Sequence, residues 1–343
     1  MAGMASPGRK VATQHHPAES PNTQVAASRS SRALIIFAFA AIYLIWGSTY
    51  LAIRYAIETL PPFLMAATRF LTAGAILFTW STLRGTVRPS FAEWRRAFAV
   101  GALLLLCGNG GVTWAEKYVP SGLAALLVAT EPLWVVMLNS ILSRKPPGLK
   151  VIIGVLIGLA GVAILVGGGI KGGNGSMMSW IGTVVVLASG LAWAGGSVYS
   201  NRRPSKTSAW MASAMQMLAG GCLLLLMAAI SGDFKRLSIG KSSWTSIAAL
   251  SYLIVFGSLV AFTAYSWLLR NVAPARAATY AYVNPVVAVV LGWLIASEPI
   301  TGRTLVAAAV IVGSVVLITT FGTEGPAKQP TPDTSDCPSH PCA

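Results

Sequence analysis

Charged residues are scarce in this chain of 343 residues: 10% are Asp, Glu, Lys or Arg, whereas 55% are apolar. Soluble domains carry roughly 25% charged residues. So little charge excludes an ordinary soluble domain and predicts an all-α integral membrane protein. The net charge of +15 does not indicate nucleic-acid binding, because the basic residues are spread between apolar segments and form no single patch.

Histidine is also rare, and its three copies, His15, His16 and His340, lie near the termini. The apolar segments therefore lack the histidine, aspartate pair or Ser/His arrangement that an intramembrane enzyme needs, so an enzyme is only a remote alternative. No P-loop of the ATP-binding type is present. We therefore expect that the protein is not an enzyme and binds no cofactor. The driving force for any transport must come from a gradient.

The four cysteines do not indicate a disulfide framework. Cys107 and Cys222 lie inside apolar runs, where cysteine behaves as a small hydrophobic residue. Cys337 and Cys342 flank His340, but the two prolines between them and the absence of an apolar core favour an unstructured tail over a metal site. We predict a disordered N-terminal extension at 1–32, with no signal peptide, and a disordered C-terminal tail at 322–343.

Ten apolar stretches approach the ~20 residues that a helix needs to cross a bilayer. Their limits are 33–55, 63–83, 94–115, 119–142, 150–169, 178–200, 207–230, 244–269, 275–297 and 301–321. The connections are short, so consecutive helices should be antiparallel neighbours or near neighbours. With the N-terminus inside, cytoplasmic segments hold 17 of the 25 basic residues and outer loops hold 7, which predicts that both termini are cytoplasmic.

The two halves of the chain resemble each other. Matched pairs at a spacing of 147 or 153 residues are Trp46 with Trp193, Arg69 with Gln216, Trp114 with Trp267, Val119 with Val272, Glu131-Pro132 with Asn284-Pro285, and Lys145-Pro146 with Glu298-Pro299. Each half, 33–169 and 178–321, contains five segments, so the second should enter the membrane from the opposite side. Inverted repeats are typical of secondary transporters that alternate access around a site near the membrane midplane.

Several runs resemble a known family. They are Ile45-Trp46-Gly47-Ser48-Thr49-Tyr50-Leu51-Ala52-Ile53-Arg54, Leu60-Pro61-Pro62, Arg69-Phe70, Gly108-Asn109-Gly110, Trp114-Ala115-Glu116 and Pro120-Ser121-Gly122-Leu123-Ala124. Together they resemble EamA-type permeases of the drug/metabolite transporter superfamily, most closely the YedA-like bacterial inner-membrane branch. The resemblance covers about residues 33–321. It implies ten helices in two inverted repeats, a central cavity, a place in the bacterial inner membrane, and efflux of amino acids, metabolites or drugs.

The stretch from Val119 to Leu142 is apolar enough to cross a bilayer, yet Glu131 and Pro132 lie near its centre. A carboxyl at this depth is costly and is typical of a functional site. It could bind and release a proton or pair with a substrate amine, or remain protonated and bonded to a neighbouring helix. Because Pro132 recurs as Pro285, we expect the helix irregularity in both halves. Glu131 recurs as Asn284, so the acid belongs to one half.

Other candidate site residues come from the first, second, third, sixth and ninth segments. Trp46, Thr49 and Tyr50 share one helical face, as do Trp193 and Ser197, and both faces suit either solute stacking or packing between helices. For Arg69 we consider snorkelling or a structural role, a salt bridge to Glu131, and carboxylate binding.

Asn109, flanked by Gly108 and Gly110, indicates either a loosened helix or close helix packing. Tyr280 and Asn284 present a neutral polar face, and Trp114 completes the candidate set.

These features predict a secondary transporter that exports a small molecule, either coupled to protons or facilitative. The expected partners are that solute, protons as candidate coupling ions, and the lipid bilayer. The alternative is an importer or facilitator of a sugar- or nucleotide-type solute. An anionic nucleotide would require more buried basic residues than Arg69 alone.

Overall fold

The structure is a computed structural model that describes residues 21–321 except 87, 145, 147, 172–176, 239, 241, 273–276 and 278. The chain divides into a unit of residues 1–37 and a unit of residues 38–343. The first unit contains the start of α1, and the second contains the rest of α1 and all other helices. The C-terminal tail with Cys337, His340 and Cys342 lies outside the described residues, as do residues 1–20.

Throughout the described residues the regular secondary structure is helical. In chain order the helices are α1 (Pro21–Ala56), α2 (Pro62–Leu83), α3 (Phe91–Gly101), π1 (Ala102–Gly110), α4 (Gly111–Ala115), α5 (Ser121–Val128), α6 (Glu131–Ser143), α7 (Leu149–Lys171), α8 (Met177–Arg202), α9 (Ala209–Ile230), α10 (Asp233–Arg236), α11 (Trp244–Tyr252), π2 (Leu253–Phe262), α12 (Thr263–Asn271), α13 (Tyr280–Ala296) and α14 (Gly302–Phe321). The prefix π marks π-helical segments. α1 begins at Pro21, before residue 33, where the sequence predicts that the first membrane segment begins.

Seven helical stretches in the described chain are long and apolar enough to cross a membrane, and they coincide with the predicted segments 1–4 and 6–8. Predicted segments 5, 9 and 10 are also helical, as α7, α13 and α14. Their described apolar parts are shorter, at Ile152–Ile164, Val283–Ala296 and Gly302–Ser314. The structure thus confirms an all-helical fold with several membrane helices, and the ten-helix inverted layout stays a prediction.

Serine side chains mark where several helices begin. The hydroxyls of Ser90, Ser208 and Ser243 each accept a hydrogen bond from the main-chain N–H three residues later, at 3.4, 3.2 and 3.0 Å. These bonds satisfy donors that the first helical turn leaves free, and so position α3, α9 and α11.

Small residues let corresponding helices of the two halves pack closely. α2 packs against α9, and a Cβ atom at Gly74 would lie only 3.0 Å from the main-chain nitrogen of Leu218. α7 packs against α14, and a Cβ at Gly161 would lie 2.8 Å from Ile311 Cγ1. Such contacts are typical of membrane helices, where close van der Waals packing is a main source of association energy.

Two π-helical segments interrupt the third and eighth membrane segments at similar places in the repeat. π1 ends shortly before Trp114, and π2 ends shortly before the matching Trp267. A π-helix wraps the chain more widely than an α-helix, is rare, and is frequent at functional sites. Asn109 lies in π1, and its neighbour Gly108 faces Trp193, so the local sequence both loosens the helix and permits close packing.

The two prolines of the repeat occupy different places in their helices. α5 ends at Val128 and α6 begins at Glu131, so that Pro132 lies in the first turn of α6, where a missing N–H breaks no helical hydrogen bond. By contrast, α13 continues through Pro285. In the described residues, a two-residue turn thus interrupts the helix just before Glu131-Pro132, whereas the helix continues at Pro285.

Candidate functional site

A cavity lies between helices of the two halves. Its empty volume, including the space at its open mouth, is about 620 Å³. The first-half residues that line it come from α1, α2, π1, α4 and α5, and the second-half residues come from α8, π2 and α13. The predicted site residues among them are Trp46, Thr49, Tyr50, Arg69, Asn109, Trp193, Tyr280 and Asn284.

Four aromatic side chains pack together at this cavity, with Trp46 at their centre. The Trp46 ring centroid lies 5.5 Å from Trp193, 5.0 Å from Tyr265 and 5.1 Å from Tyr280. Its indole N–H donates to the carbonyl of Gly257 in π2 at 3.3 Å. The edge-to-face and tilted contacts are favourable ring geometries. They join α1 of the first half to three membrane segments of the second.

Arg69 extends into the protein interior and does not snorkel towards the membrane surface. It is 3% exposed, its Nε donates to Ser258 Oγ at 2.8 Å, and its guanidinium carbon lies 4.7 Å from the Phe70 ring centroid. Arg69 and Glu131 form no ion pair in the described part of the chain. The Nη1 atom is buried without a hydrogen-bond partner there and belongs to a side chain that lines the cavity, which leaves one cationic donor free.

Glu131 lies directly behind the cavity wall. Its side chain is fully buried and accepts a hydrogen bond from the hydroxyl of Tyr280, which does line the cavity. Its Oε1 atom has no described partner. With its amide oriented to donate, Asn284 lies 3.0 Å from the carbonyl oxygen of Tyr43 and 3.3 Å from that of Tyr280. The acid of the first half is thus bonded to a helix of the second.

The remaining candidates lie at different distances from the cavity. Ser197 is behind the aromatic wall, where its hydroxyl is 2.7 Å from that of Tyr265. Trp114 does not line the cavity but packs on Tyr118, with ring centroids 5.2 Å apart. Sequence reasoning missed Tyr265, whose only signal is its place two residues before Trp267 of the repeat.

A second polar cluster, which the sequence did not reveal as a site, lies at the end of the bundle where α1 ends and α5 begins. Glu298 Oε1 accepts from Ser121 N at 3.0 Å, Ser121 Oγ at 2.7 Å and Arg54 Nη1 at 2.7 Å, and its Oε2 accepts from Gly122 N at 3.0 Å. The carboxylate therefore caps α5 and holds α1 together with the turn after α13. We call this set of contacts the Glu298 clasp.

Glu116 lies beside the Glu298 clasp and is 6% exposed, and both of its carboxyl oxygens lack a hydrogen-bond partner among the described residues. Burial and the nearby charge of Glu298 raise the pKa of Glu116 well above its usual range, against the opposing attraction of Arg54 and Arg69. Its position after Trp114-Ala115 was visible in the sequence, but its burial was not.

The model of the EamA-like transporter family matches residues 33–167 and again residues 180–320. Since these matches cover most of the chain, the protein belongs to the EamA-like transporter family, within the drug/metabolite transporter superfamily.

Individual relatives agree with this assignment. The chain is 43% identical over 280 residues to the uncharacterized inner membrane transporter YedA of Escherichia coli strain K12, which covers 81% of this chain and 88% of that one. It is 28% identical over 293 residues to the uncharacterized transporter YvbV of Bacillus subtilis strain 168, over 84% and 92% of the two chains. One solved crystal structure aligns with a TM-score of 0.59 at 22% identity, over 83% of this chain and 96% of that one, and supports the fold alone.

Proposed function

We propose that this protein is a secondary transporter that exports a small metabolite, amino acid or drug by alternating access, with the cavity at Trp46 as its solute site. The observation that carries the proposal is that both halves line this cavity. A relative movement of the halves would therefore change the site itself, as alternating access requires. The positive-inside distribution and the inner-membrane relative support a bacterial inner-membrane location with both termini cytoplasmic.

The lining chemistry favours a solute with a flat apolar body and one acidic or strongly polar group. Trp46 and Trp193 offer stacking surfaces, and Arg69 offers the free Nη1 donor. The amide of Asn109 in π1 also lines the cavity. A few polar groups in an apolar pocket are enough to orient a small ligand.

Glu131 is our candidate for coupling transport to protons. The carboxyl is buried and accepts a hydrogen bond from Tyr280, a lining residue, so a change in its protonation would alter the bonding of a side chain in the cavity wall. We expect Glu131→Gln to retain the fold and to remove the pH dependence of flux in proteoliposomes. Wild-type flux and an unchanged pH response in this variant would exclude Glu131 from the mechanism.

The first experiment identifies the solute. Cells that overexpress the protein are compared by metabolite profiling of medium and cytoplasm with cells that express Trp46→Ala or Trp114→Ala. Because Trp46 lines the cavity and Trp114 does not, only Trp46→Ala should abolish the difference from empty-vector cells. Equal behaviour of the two tryptophan variants, at equal membrane abundance, would contradict transport through this cavity.

A further inference from the structure

In the Glu298 clasp, Arg54 is the cation that pairs with Glu298 among the described residues. The Arg54 side chain is 37% exposed and lies on α1, whereas the Glu298 side chain is 10% exposed. Two main-chain N–H groups and the Ser121 hydroxyl hold Glu298 in place independently of Arg54. Arg54 is therefore the partner that can leave, and its ion pair connects α1 to the turn between α13 and α14.

Glu116 offers Arg54 a second carboxyl. Arg54 and Glu116 both line a second cavity, distinct from the one at Trp46. Its empty volume, including the space at its open mouth, is about 760 Å³. Neither oxygen of the Glu116 carboxyl has a described partner. A buried polar group without a partner is uncommon and costs free energy, most of all when it is ionised.

We propose that Glu116 is a proton-binding site that controls the Glu298 clasp: neutral Glu116 leaves Arg54 on Glu298, and ionised Glu116 draws Arg54 away and loosens this end of the bundle. The released proton passes to water at the mouth of the shared cavity, which is lined there by the exposed side chains of Glu58 and Lys117. The role of the clasp as a gate rests on the proposed transport function, whereas its response to the proton does not.

The charges around Glu116 support this competition. Glu298 disfavours ionisation, while Arg54 and then Arg69 favour it. Arg69 is buried and bonded to Ser258, so Arg54 is the cation with more freedom to move. Glu58 and Lys117 line the same cavity with opposite charge. Tyr50 of α1 lies within electrostatic range of Glu116.

The test measures the distance between α10, which is bonded to the start of α2, and the turn after α13, and it needs no solute. Spin labels are attached at Phe234→Cys and Thr301→Cys in a variant with Cys107, Cys222, Cys337 and Cys342 replaced by serine. Both label sites are exposed, and neither belongs to the clasp. Pulsed electron paramagnetic resonance in lipid nanodiscs then gives the label distances from mildly acidic to mildly alkaline pH.

We expect the population with the longer distance to rise severalfold as pH increases and to remain at its acidic level in Glu116→Gln. Glu58→Gln, a change of the same chemistry at an exposed position of the same cavity, should titrate like the wild type. Glu298→Gln removes the charge that retains Arg54 and should show the longer distance at every pH, which tests the clasp even if Glu116→Gln folds poorly.

A wild-type distance that does not change with pH would overturn the proposal, as would titration that persists in Glu116→Gln or is lost in Glu58→Gln. Wild-type titration in Glu298→Gln would show that the clasp does not respond to the proton. Failure of the tryptophan test would reject transport through the Trp46 cavity without affecting these distances, so the two proposals fail separately.

Discussion

Corresponding prolines behave differently in the two halves. In the first half the chain leaves the helix after Val128, and Pro132 lies in the first turn of a new helix. In the second half α13 continues through Pro285. The residues before the prolines also differ, because Glu131 accepts the Tyr280 hydroxyl of the other half whereas the Asn284 amide faces main-chain carbonyls. The repeat thus preserves the position of a proline while its polar chemistry has diverged.

Two carboxylates that cap helices across the halves also differ from each other. Glu298 caps α5 of the first half and binds Arg54, while Asp233 Oδ2 accepts from Phe63 N at 2.9 Å and Leu64 N at 3.2 Å at the start of α2. Both carboxylates come from the second half and satisfy free N–H groups of the first. Only Glu298 also holds a strong ion pair at 2.7 Å, because Arg236 lies 3.8 Å from Asp233.

The largest effect is expected from removing these two caps. Glu298→Ala should lower the free energy of unfolding by ~2–4 kcal/mol, because it leaves buried donors and Arg54 without their acceptor. Asp233→Ala should cost ~1–2 kcal/mol, as for an ordinary helix cap. Denaturant titration in detergent micelles measures both. A cost for Asp233→Ala equal to or above that of Glu298→Ala would remove the distinction between the two caps.

A smaller effect should separate Tyr280 from Tyr265. Tyr280→Phe removes the described partner of Glu131 and should cost ~1–3 kcal/mol, because a buried carboxyl then lacks its donor. Tyr265→Phe should cost ~0.5–1.5 kcal/mol, since Ser197 still donates to the Trp193 carbonyl at 2.8 Å. Equal costs in the same titrations would mean that Glu131 does not depend on the second half.

Replacing the prolines tests the difference between Pro132 and Pro285. Pro285→Ala should restore a helical hydrogen bond and stabilise by ~1 kcal/mol, less than the ~3 kcal/mol of an isolated helix because neighbouring helices compensate. Pro132→Ala should change stability by less than ~0.5 kcal/mol, since its position lacks a helical bond in any case. The unfolding midpoints decide this, and a larger gain for Pro132→Ala would contradict the assigned places of the two residues.

The subtlest expected effect is on pH dependence. Because the folded state raises the pKa of Glu116, it retains a proton that the unfolded chain has already lost, between the ordinary value and the raised one. Stability should therefore fall as pH rises through that window, and Glu116→Gln should make the slope shallower. Unfolding midpoints across this range test the prediction against Glu58→Gln, which should retain the wild-type slope.

Sequence reasoning predicted the helical fold and some of the residues that line the cavity, because both follow from local patterns. The length of the apolar stretches indicated the membrane segments, and the spacing between Trp46 and Trp193 indicated corresponding helix faces in the two halves. The same reasoning overlooked Tyr265, Glu116 and the Glu298 clasp, since no local pattern shows which loop carboxylate reaches which helix end. It also left the state of Arg69 open, because a long side chain can extend towards either the surface or the interior.

The sequence by itself determined that this is a helical membrane transporter with two related halves, since hydrophobic length and repeated motifs are properties of the chain. The tertiary structure decided which polar groups became buried and with whom. Glu131 is hydrogen-bonded to Tyr280 and Glu298 forms an ion pair with Arg54, whereas Glu116 has no hydrogen-bond partner among the described residues. The physical reason is that a hydrogen bond or ion pair depends on distances of about 3 Å between segments far apart in the chain, and packing alone brings these together.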